Sequence, residues 1–420
     1  MSTSRRRFLK LAVASAGMFS PMILAQGIPR VVVVGGGFAG ASFARALRKA
    51  DPRIVVTLVE PGTTFTACPF SNGVIAGMRE LSQQQFTYEK ISADGIALVR
   101  ASASAVDTKA RSVTLSDGTR LPYDRLVLAP GIDIRWDALP GYGQSAAERM
   151  PHAWKAGEQT LLLRRQLESM ADGGLVVIAA PANPSRCPTG PYERASLIAH
   201  YLKTKKPRSK LIVLDAKDGF SKQRLFENAW IELYPGLLEW VPLSSGGNVI
   251  SVDASTNTLV TDFGRHQAAV ANVIPPQRAG SIADIAGVAD RSGWCPIDPA
   301  TFESTLQAGI HVIGDAAIAG AMPKSAFAAN SQAKACAAVV AELVAGRVPS
   351  VPKLVNTCYS LVAPDYGISV AGVYYPAGGY LADVPGAGGN SPLAAPRATR
   401  ALEAQYAEAW FRTITGEVFG

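Results

Sequence analysis

Four consecutive valines, Val31 to Val34, run without a break into Gly35-Gly36-Gly37-Phe38-Ala39-Gly40. A helix-like stretch, "ASFARALRKA", then separates this turn from a second apolar run, "IVVTLVE". A strand buried on both faces, a glycine turn and an amphipathic helix make a βαβ unit, which commits the chain to a parallel, doubly wound sheet. Gly35, Gly37 and Gly40 occupy the three places of a dinucleotide turn. The first gives the tight bend, the second lets backbone N–H groups approach a pyrophosphate, and the third lets the helix pack closely on the strand. Glu60 ends the second run, where a carboxylate accepts hydrogen bonds from the hydroxyls of an adenosine ribose.

Two later segments suit FAD better than NAD. "YDRLVLAPGI", Tyr123 to Ile132, is an apolar strand closed by Pro130-Gly131, and "GIHVIGDAA" ends in Gly314-Asp315, where an aspartate can reach the ribityl and pyrophosphate part of a flavin dinucleotide. Between them lies an insertion with a βαβ pattern of its own: strand Leu175 to Ala180, helix around Tyr192 to Lys203, strand Lys210 to Asp215. Its first turn reads "APANPSRCPTGP" and has no Gly-x-Gly-x-x-Gly; Pro181, Pro184 and Pro188 stiffen the loop and remove donors a phosphate would need. A nicotinamide nucleotide is therefore not expected to bind there.

The chain has 420 residues, 48% of them hydrophobic, enough for several buried cores. The expected architecture is α/β: two Rossmann-like dinucleotide-binding domains and a small C-terminal α+β domain. Residues 27–156 and 277–350 form the FAD-binding domain, 157–276 the second Rossmann-like domain without the NAD glycines, and 351–420 the last. Leu402, Tyr406, Trp410 and Ile414 recur at four-residue spacing near the end, an apolar face for packing on the protein itself or for a membrane surface.

"SRRRFLK" followed by the uncharged stretch Leu11 to Leu24 reads as an export signal over residues 1–25. Its paired arginines resemble the twin-arginine type, which serves proteins exported already folded, and place the mature chain in the periplasm. Removing it deletes Arg5, Arg6, Arg7 and Lys10 and no acid, so the formal charge falls from +8 to +4. So mild a balance, with no basic block, argues against nucleic-acid binding.

Five cysteines, Cys68, Cys187, Cys295, Cys336 and Cys358, leave at least one outside any pairing, and the absence of Cys-x-x-Cys-His means that the chain carries no c-type haem of its own. The four histidines, at 152, 200, 266 and 311, form no triad or metal spacing, so no metal site is expected. Lys324, in "MPKSAF", is either a solvent lysine or a positive charge near the pyrimidine end of a flavin. Glu193 is either an acid balancing a helix dipole or a proton carrier beside Cys187.

The segments "VVVVGGGFAG", "FTACPFSNGVI", "PHAWKAGEQT", "CPTGPYERAS", "PPQRAGSIADIAG", "GWCPID", "HVIGDAAIAGAMPKSAFAANSQAK" and "NTCYSLVAPDYGISVAGVYYP" resemble the flavoprotein subunit of flavocytochrome c sulfide dehydrogenase, within the disulfide-reductase-like flavoproteins. The resemblance spans nearly the whole chain. It implies FAD, with Cys68 as the residue joined to the flavin through a thioether, and Cys187 and Cys358 as the two members of a redox-active disulfide beside it. Cys295 and Cys336 are left as packing residues. It further implies oxidation of hydrosulfide to sulfur or polysulfide, with electrons passed to a c-type cytochrome subunit and no use of NAD(P)H. A membrane-surface sulfide:quinone oxidoreductase shares this plan, and a non-catalytic flavin electron-transfer protein is a third reading.

Overall fold

The computed structural model describes residues 27–420, so the export signal read over residues 1–25 lies outside the described residues. The valine run forms the strand Arg30–Val34 at the centre of a five-stranded parallel sheet. Its order is Ile310–Val312, Arg125–Leu128, Arg30–Val34, Val55–Val59, Ala97–Val99. Val31 to Val34 are all at most 7% exposed, which is why this strand is continuously apolar rather than alternating. Two helices, Phe38–Ala50 and Ala326–Val344, pack against each other beside this sheet. Gly314 permits the contact: a Cβ there would stand 2.8 Å from that of Ala39.

The second sheet is also parallel, in the order Leu238–Val241, Lys210–Asp215, Leu175–Ala180, Val270–Val273. The chain passes between the two sheets on a short antiparallel ribbon, Ile132–Ile134 against Gln277–Ala279. In both sheets the first strand in sequence lies inside, so the loops after the strands open at a switch point, the usual place for a ligand in such a fold.

The last part of the chain is an antiparallel sheet, Leu354–Ala363, Tyr366–Ala377 and Tyr380–Asp383, covered by the helix Arg397–Val418. This helix does pack on its own protein, but through only half of the face expected from the sequence: Ile414 is buried and Trp410 is half-buried against the core. Leu402 and Tyr406 are 46% and 54% exposed, whereas Arg400, Glu403, Ala404, Ala407, Phe411, Ile414 and Val418 are buried. The true stripe is hidden from an apolar pattern because it holds an ion pair and alanines. Arg400 Nη1 lies 3.1 Å from Glu403 Oε2, and Glu403 Oε1 accepts from Ser369 Oγ at 3.0 Å. Gly367 lets the backbones meet, since a Cβ there would lie 2.4 Å from the Ala404 nitrogen. The helix exit is held by Phe419, whose ring stacks on Phe65 at 4.9 Å and on Phe86 at 5.5 Å. These two belong to the hairpin Thr64–Thr66 and Gln85–Thr87, from which the chain runs directly to Cys68. Among the described residues no helix is long and apolar enough to cross a membrane.

Candidate active site

At the glycine turn, backbone sterics explain two of the three glycines. Gly35 has φ +101°, and a Cβ there would meet the Ala129 carbonyl oxygen at 2.3 Å; at Gly40 it would stand 1.8 Å from the Gly35 oxygen. Gly37 is different: its nearest neighbour would be the Phe65 ring at 3.3 Å. It opens the helix Phe38–Ala50 without a side-chain cap, so the free first-turn N–H groups have no partner from that side. Gly35, Gly37, Phe38 and Ala39 line a cavity of about 520 Å³, a size suited to a cofactor.

Glu60 also lines this cavity, but its carboxylate is already at work. Gly36 N donates to Oε2 and Gly62 N to Oε1, both at 2.8 Å. Each oxygen keeps a second lone pair, so Glu60 pins the turn and can still accept from a ligand. Gly131, at φ +63°, lines the cavity as well. A second cavity of about 190 Å³ shares Gly35 and Pro130 with the first.

The same large cavity brings together Cys68, Cys187 and Cys358, from three distant parts of the chain. All three are free thiols in this structure. Cys68 Sγ lies 3.8 Å from the Trp154 carbonyl oxygen. Cys187 sits in left-handed backbone, φ +51°, with its N donating to Lys324 O and its O accepting from Gly190 N, both at 2.8 Å. Gly190 is required there, because a Cβ would lie 2.7 Å from the Trp154 ring and 3.1 Å from Cys187 Sγ. Cys358 is in the middle of the strand Leu354–Ala363. Phe70, Ala153 and Lys222 are also left-handed non-glycines; the first two line the cavity and the third donates to Cys358 O at 2.9 Å. Such backbone costs about 1–3 kcal/mol per residue and persists where surroundings hold it for a purpose. Cys295 and Cys336 are fully buried, the former thiol pushed up to about 12 by burial, in keeping with packing roles.

Buried charge surrounds the thiols. Arg194 is 2% exposed and its guanidinium ties the walls together: Nε donates to Asn72 Oδ1 at 3.0 Å, Nη1 to His152 O and Asn272 Oδ1 at 2.9 Å, Nη2 to Ala153 O at 2.6 Å. Burial lowers it to about 10, still charged at neutral pH. Glu193, facing the same cavity, is raised to about 7 by burial, with Lys222 opposing the rise. Burial first, then the Glu193 and Cys358 charges, push the Cys187 thiol up. Asp315 also lines the cavity. Burial raises its carboxyl, and its Oδ1 has no hydrogen-bond partner. An orphaned buried carboxylate oxygen on a cavity wall is the kind of atom a bound hydroxyl or amide would satisfy.

Lys324 is half-buried rather than a solvent lysine. Its ammonium donates to Asp315 O at 2.8 Å and Ala317 O at 2.7 Å and lies 4.0 Å over the Trp294 ring. A buried ammonium needs such partners, and it does not line the cavity; the start of the helix Ala326–Val344 does, through Ser325, Ala326 and Phe327. Arg194, Lys222 and Trp154 were not singled out by the sequence. Arg194 and Trp154 fall inside distinctive segments, but nothing local to Lys222 marks it.

His152 and His311 are each lowered to about 4, chiefly by burial, so neither carries a proton near neutrality. In the second lobe, Asp215 closes a strand where a dinucleotide ribose would be read. Here it is fully buried and accepts from Tyr192 Oη at 2.5 Å, Trp240 Nε1 at 2.9 Å and Lys217 Nζ at 2.6 Å. Phe220 stacks on Tyr192 with ring centroids 3.4 Å apart, filling the space beside it. Among the described residues no cluster of His, Cys, Asp or Glu could hold a metal ion.

Comparison with known proteins gives a consistent answer. Residues 160–275 match the family described as sulfide dehydrogenase (flavocytochrome c) flavoprotein chain, central, and residues 350–419 that described as flavocytochrome c sulphide dehydrogenase, flavin-binding. Residues 29–177 match the pyridine nucleotide-disulphide oxidoreductases. The chain is 71% identical over 48 residues, 11% of its length and all of the relative, to the sulfide dehydrogenase (flavocytochrome c) flavoprotein chain of Chlorobaculum thiosulfatiphilum. It is 22% identical over 334 residues, 73% of this chain and 71% of the relative, to the mitochondrial sulfide:quinone oxidoreductase of Mus musculus. Among solved structures, the sulfide:quinone oxidoreductase of Aquifex aeolicus superposes with a TM-score of 0.73 at 17% identity, covering 93% of this chain and 92% of that one, a likeness of fold.

Proposed function

This chain belongs to the family of flavoprotein chains of flavocytochrome c sulfide dehydrogenase, and from that we propose that it oxidises hydrosulfide at Cys187 and Cys358, with FAD as electron acceptor and a c-type cytochrome as the next carrier. The observation that carries the reading is the convergence of Cys68, Cys187 and Cys358 on one cavity with the glycine turn and the orphaned Asp315. FAD would be held by Gly35, Gly37 and Glu60 at its dinucleotide end, by Gly131 and Asp315 along its middle, and by Cys68 through a thioether. When bound, FAD supplies a two-electron acceptor beside the cysteine pair.

In its oxidised form the pair is a Cys187–Cys358 disulfide, and hydrosulfide opens it by thiol–disulfide exchange, leaving a persulfide on one cysteine and a thiolate on the other. Arg186 and Arg194 line the cavity and favour entry of the anion. Glu193 then accepts the proton left on the outer sulfur of the persulfide, its position near 7 placing the carboxylate form within reach at neutral pH. Its carboxylate form is the base, so at constant hydrosulfide concentration the rate of flavin reduction is expected to rise as pH passes upward through about 7. Glu193→Gln should flatten that rise and lower the plateau by roughly tenfold to a hundredfold, in line with the loss of one acid–base group. A stopped-flow pH series on the two proteins checks this.

The proline-rich turn and the fully buried Asp215 support the absence of a nicotinamide donor. A twin-arginine signal and a tethered cofactor suit a periplasmic protein, where lost FAD is not replaced. The fold also serves sulfide:quinone oxidoreductase, so the acceptor is the point to test. Rapid mixing with sulfide should bleach the flavin absorbance, and turnover should proceed with a soluble c-type cytochrome. Bleaching by NADH but not sulfide would defeat the proposal, and turnover with a quinone analogue alone would reassign the acceptor.

A further inference from the structure

Cys358 lies in a hydrogen-bonded cradle that Cys187 lacks. In the strand Leu354–Ala363, residues 356, 358 and 360 fall on one face. Asn356 is 2% exposed, and its Nδ2 donates to Cys358 Sγ at 3.4 Å, while the reverse contact from Sγ to Oδ1 is longer, 3.8 Å. The amide is held from its other end. Its Oδ1 accepts from Ser325 Oγ at 2.7 Å, and Ser325 Oγ in turn accepts from Ala328 N at 3.0 Å. With the serine proton on Oδ1, Nδ2 is left for the sulfur. Two residues further on, Ser360 Oγ accepts from Lys222 Nζ at 2.8 Å, and the same ammonium donates to Cys358 O at 2.9 Å. Around Cys187 the hydrogen bonds involve only its backbone; among the described residues no side-chain donor reaches its sulfur. Glu193, lining the cavity near it, brings a carboxylate, which Arg186 and Lys222 oppose.

We propose that Asn356 is a catalytic hydrogen-bond donor that holds the negative charge on Cys358 Sγ as the disulfide opens, so that hydrosulfide attacks Cys187 Sγ and the persulfide forms there. This rests on the disulfide reading of the two cysteines given above. A lone pair of hydrosulfide forms the new S–S bond to Cys187 Sγ, and the Cys187–Cys358 bond breaks with its electron pair passing to Cys358 Sγ. The incoming sulfur is oxidised to the persulfide level and the Cys358 sulfur is reduced to thiolate. One negative charge enters on hydrosulfide and one remains on Cys358; the proton stays on the outer sulfur. Exchange favours the sulfur whose partner leaves as the better-stabilised thiolate, and a hydrogen bond to a charged group is among the strong ones.

The test is to mix oxidised holoprotein with one equivalent of sulfide, quench within the first turnover in an alkylating reagent under denaturing conditions, and map both cysteine peptides by mass. The added sulfur is expected on Cys187, with Cys358 alkylated at its own sulfur. Asn356→Leu should slow sulfide-dependent bleaching by about tenfold to a hundredfold and let part of the added sulfur appear on Cys358. If that variant does not fold, Ser325→Ala keeps the amide but removes the hydrogen bond that holds its Oδ1, and should slow bleaching several-fold. Added sulfur on Cys358 in the unaltered protein, or unslowed bleaching in a folded Asn356→Leu, overturns the assignment. Added sulfur on neither peptide brings down the disulfide reading itself, and the assignment with it.

Discussion

Replacing Cys187 or Cys358 by serine is expected to abolish bleaching of the flavin by sulfide, a loss of roughly a thousandfold or more, about 4 kcal/mol of barrier. Both sulfurs are needed because exchange requires one atom that accepts the nucleophile and another that departs with the electron pair. A serine hydroxyl forms no bond to sulfur under these conditions and leaves no disulfide to open. The two variants should still fold and bind flavin, since Cys187 is held through its backbone N and O and Cys358 by a strand whose ladder involves no sulfur. Flavin absorbance before mixing provides that control, and stopped-flow traces after mixing give the result. Bleaching at an unaltered rate in either variant would mean that sulfide reduces the flavin without the cysteine pair.

The second large effect is expected at Cys68. Acid denaturation of the unaltered protein should leave its yellow colour with the precipitated polypeptide, whereas Cys68→Ser should yield a colourless precipitate and free flavin in the supernatant, an all-or-none difference. The arm that carries Cys68 is built to hold still. Asn72, four residues on, is gripped by buried Arg194, and the hairpin before it is packed under Phe419. A thiol so placed meets its partner with little loss of conformational freedom. Release of flavin from the unaltered protein would remove the tether from this account.

Much of this was legible in the residues. The apolar strand runs, the glycine turn and the missing glycines of the second lobe announced two parallel sheets, and the segments around Cys68, Cys187 and Cys358 announced a family. Three features were not legible. The terminal helix buries Arg400 and Glu403 and exposes Leu402 and Tyr406, because an ion pair satisfied inside the protein looks polar in sequence. Lys324 offered either a solvent lysine or a flavin contact, and only the fold shows its ammonium held by two backbone carbonyls over the Trp294 ring. Glu193 offered a bland account as a helix-terminal acid, and only its burial, against the opposing charge of Lys222, lifts it to about 7.

The sequence by itself determined the backbone: where strands and helices form, where only glycine is tolerated, and which lobe lost its phosphate turn. These follow from contacts within a few residues, whose sterics and periodicity are written locally. The tertiary structure alone decided which charges are buried, which donors are spent and which sulfur has Asn356 for a neighbour. Those depend on segments far apart in the chain meeting in a medium without water, where each polar atom's behaviour is set by whichever partner reaches it.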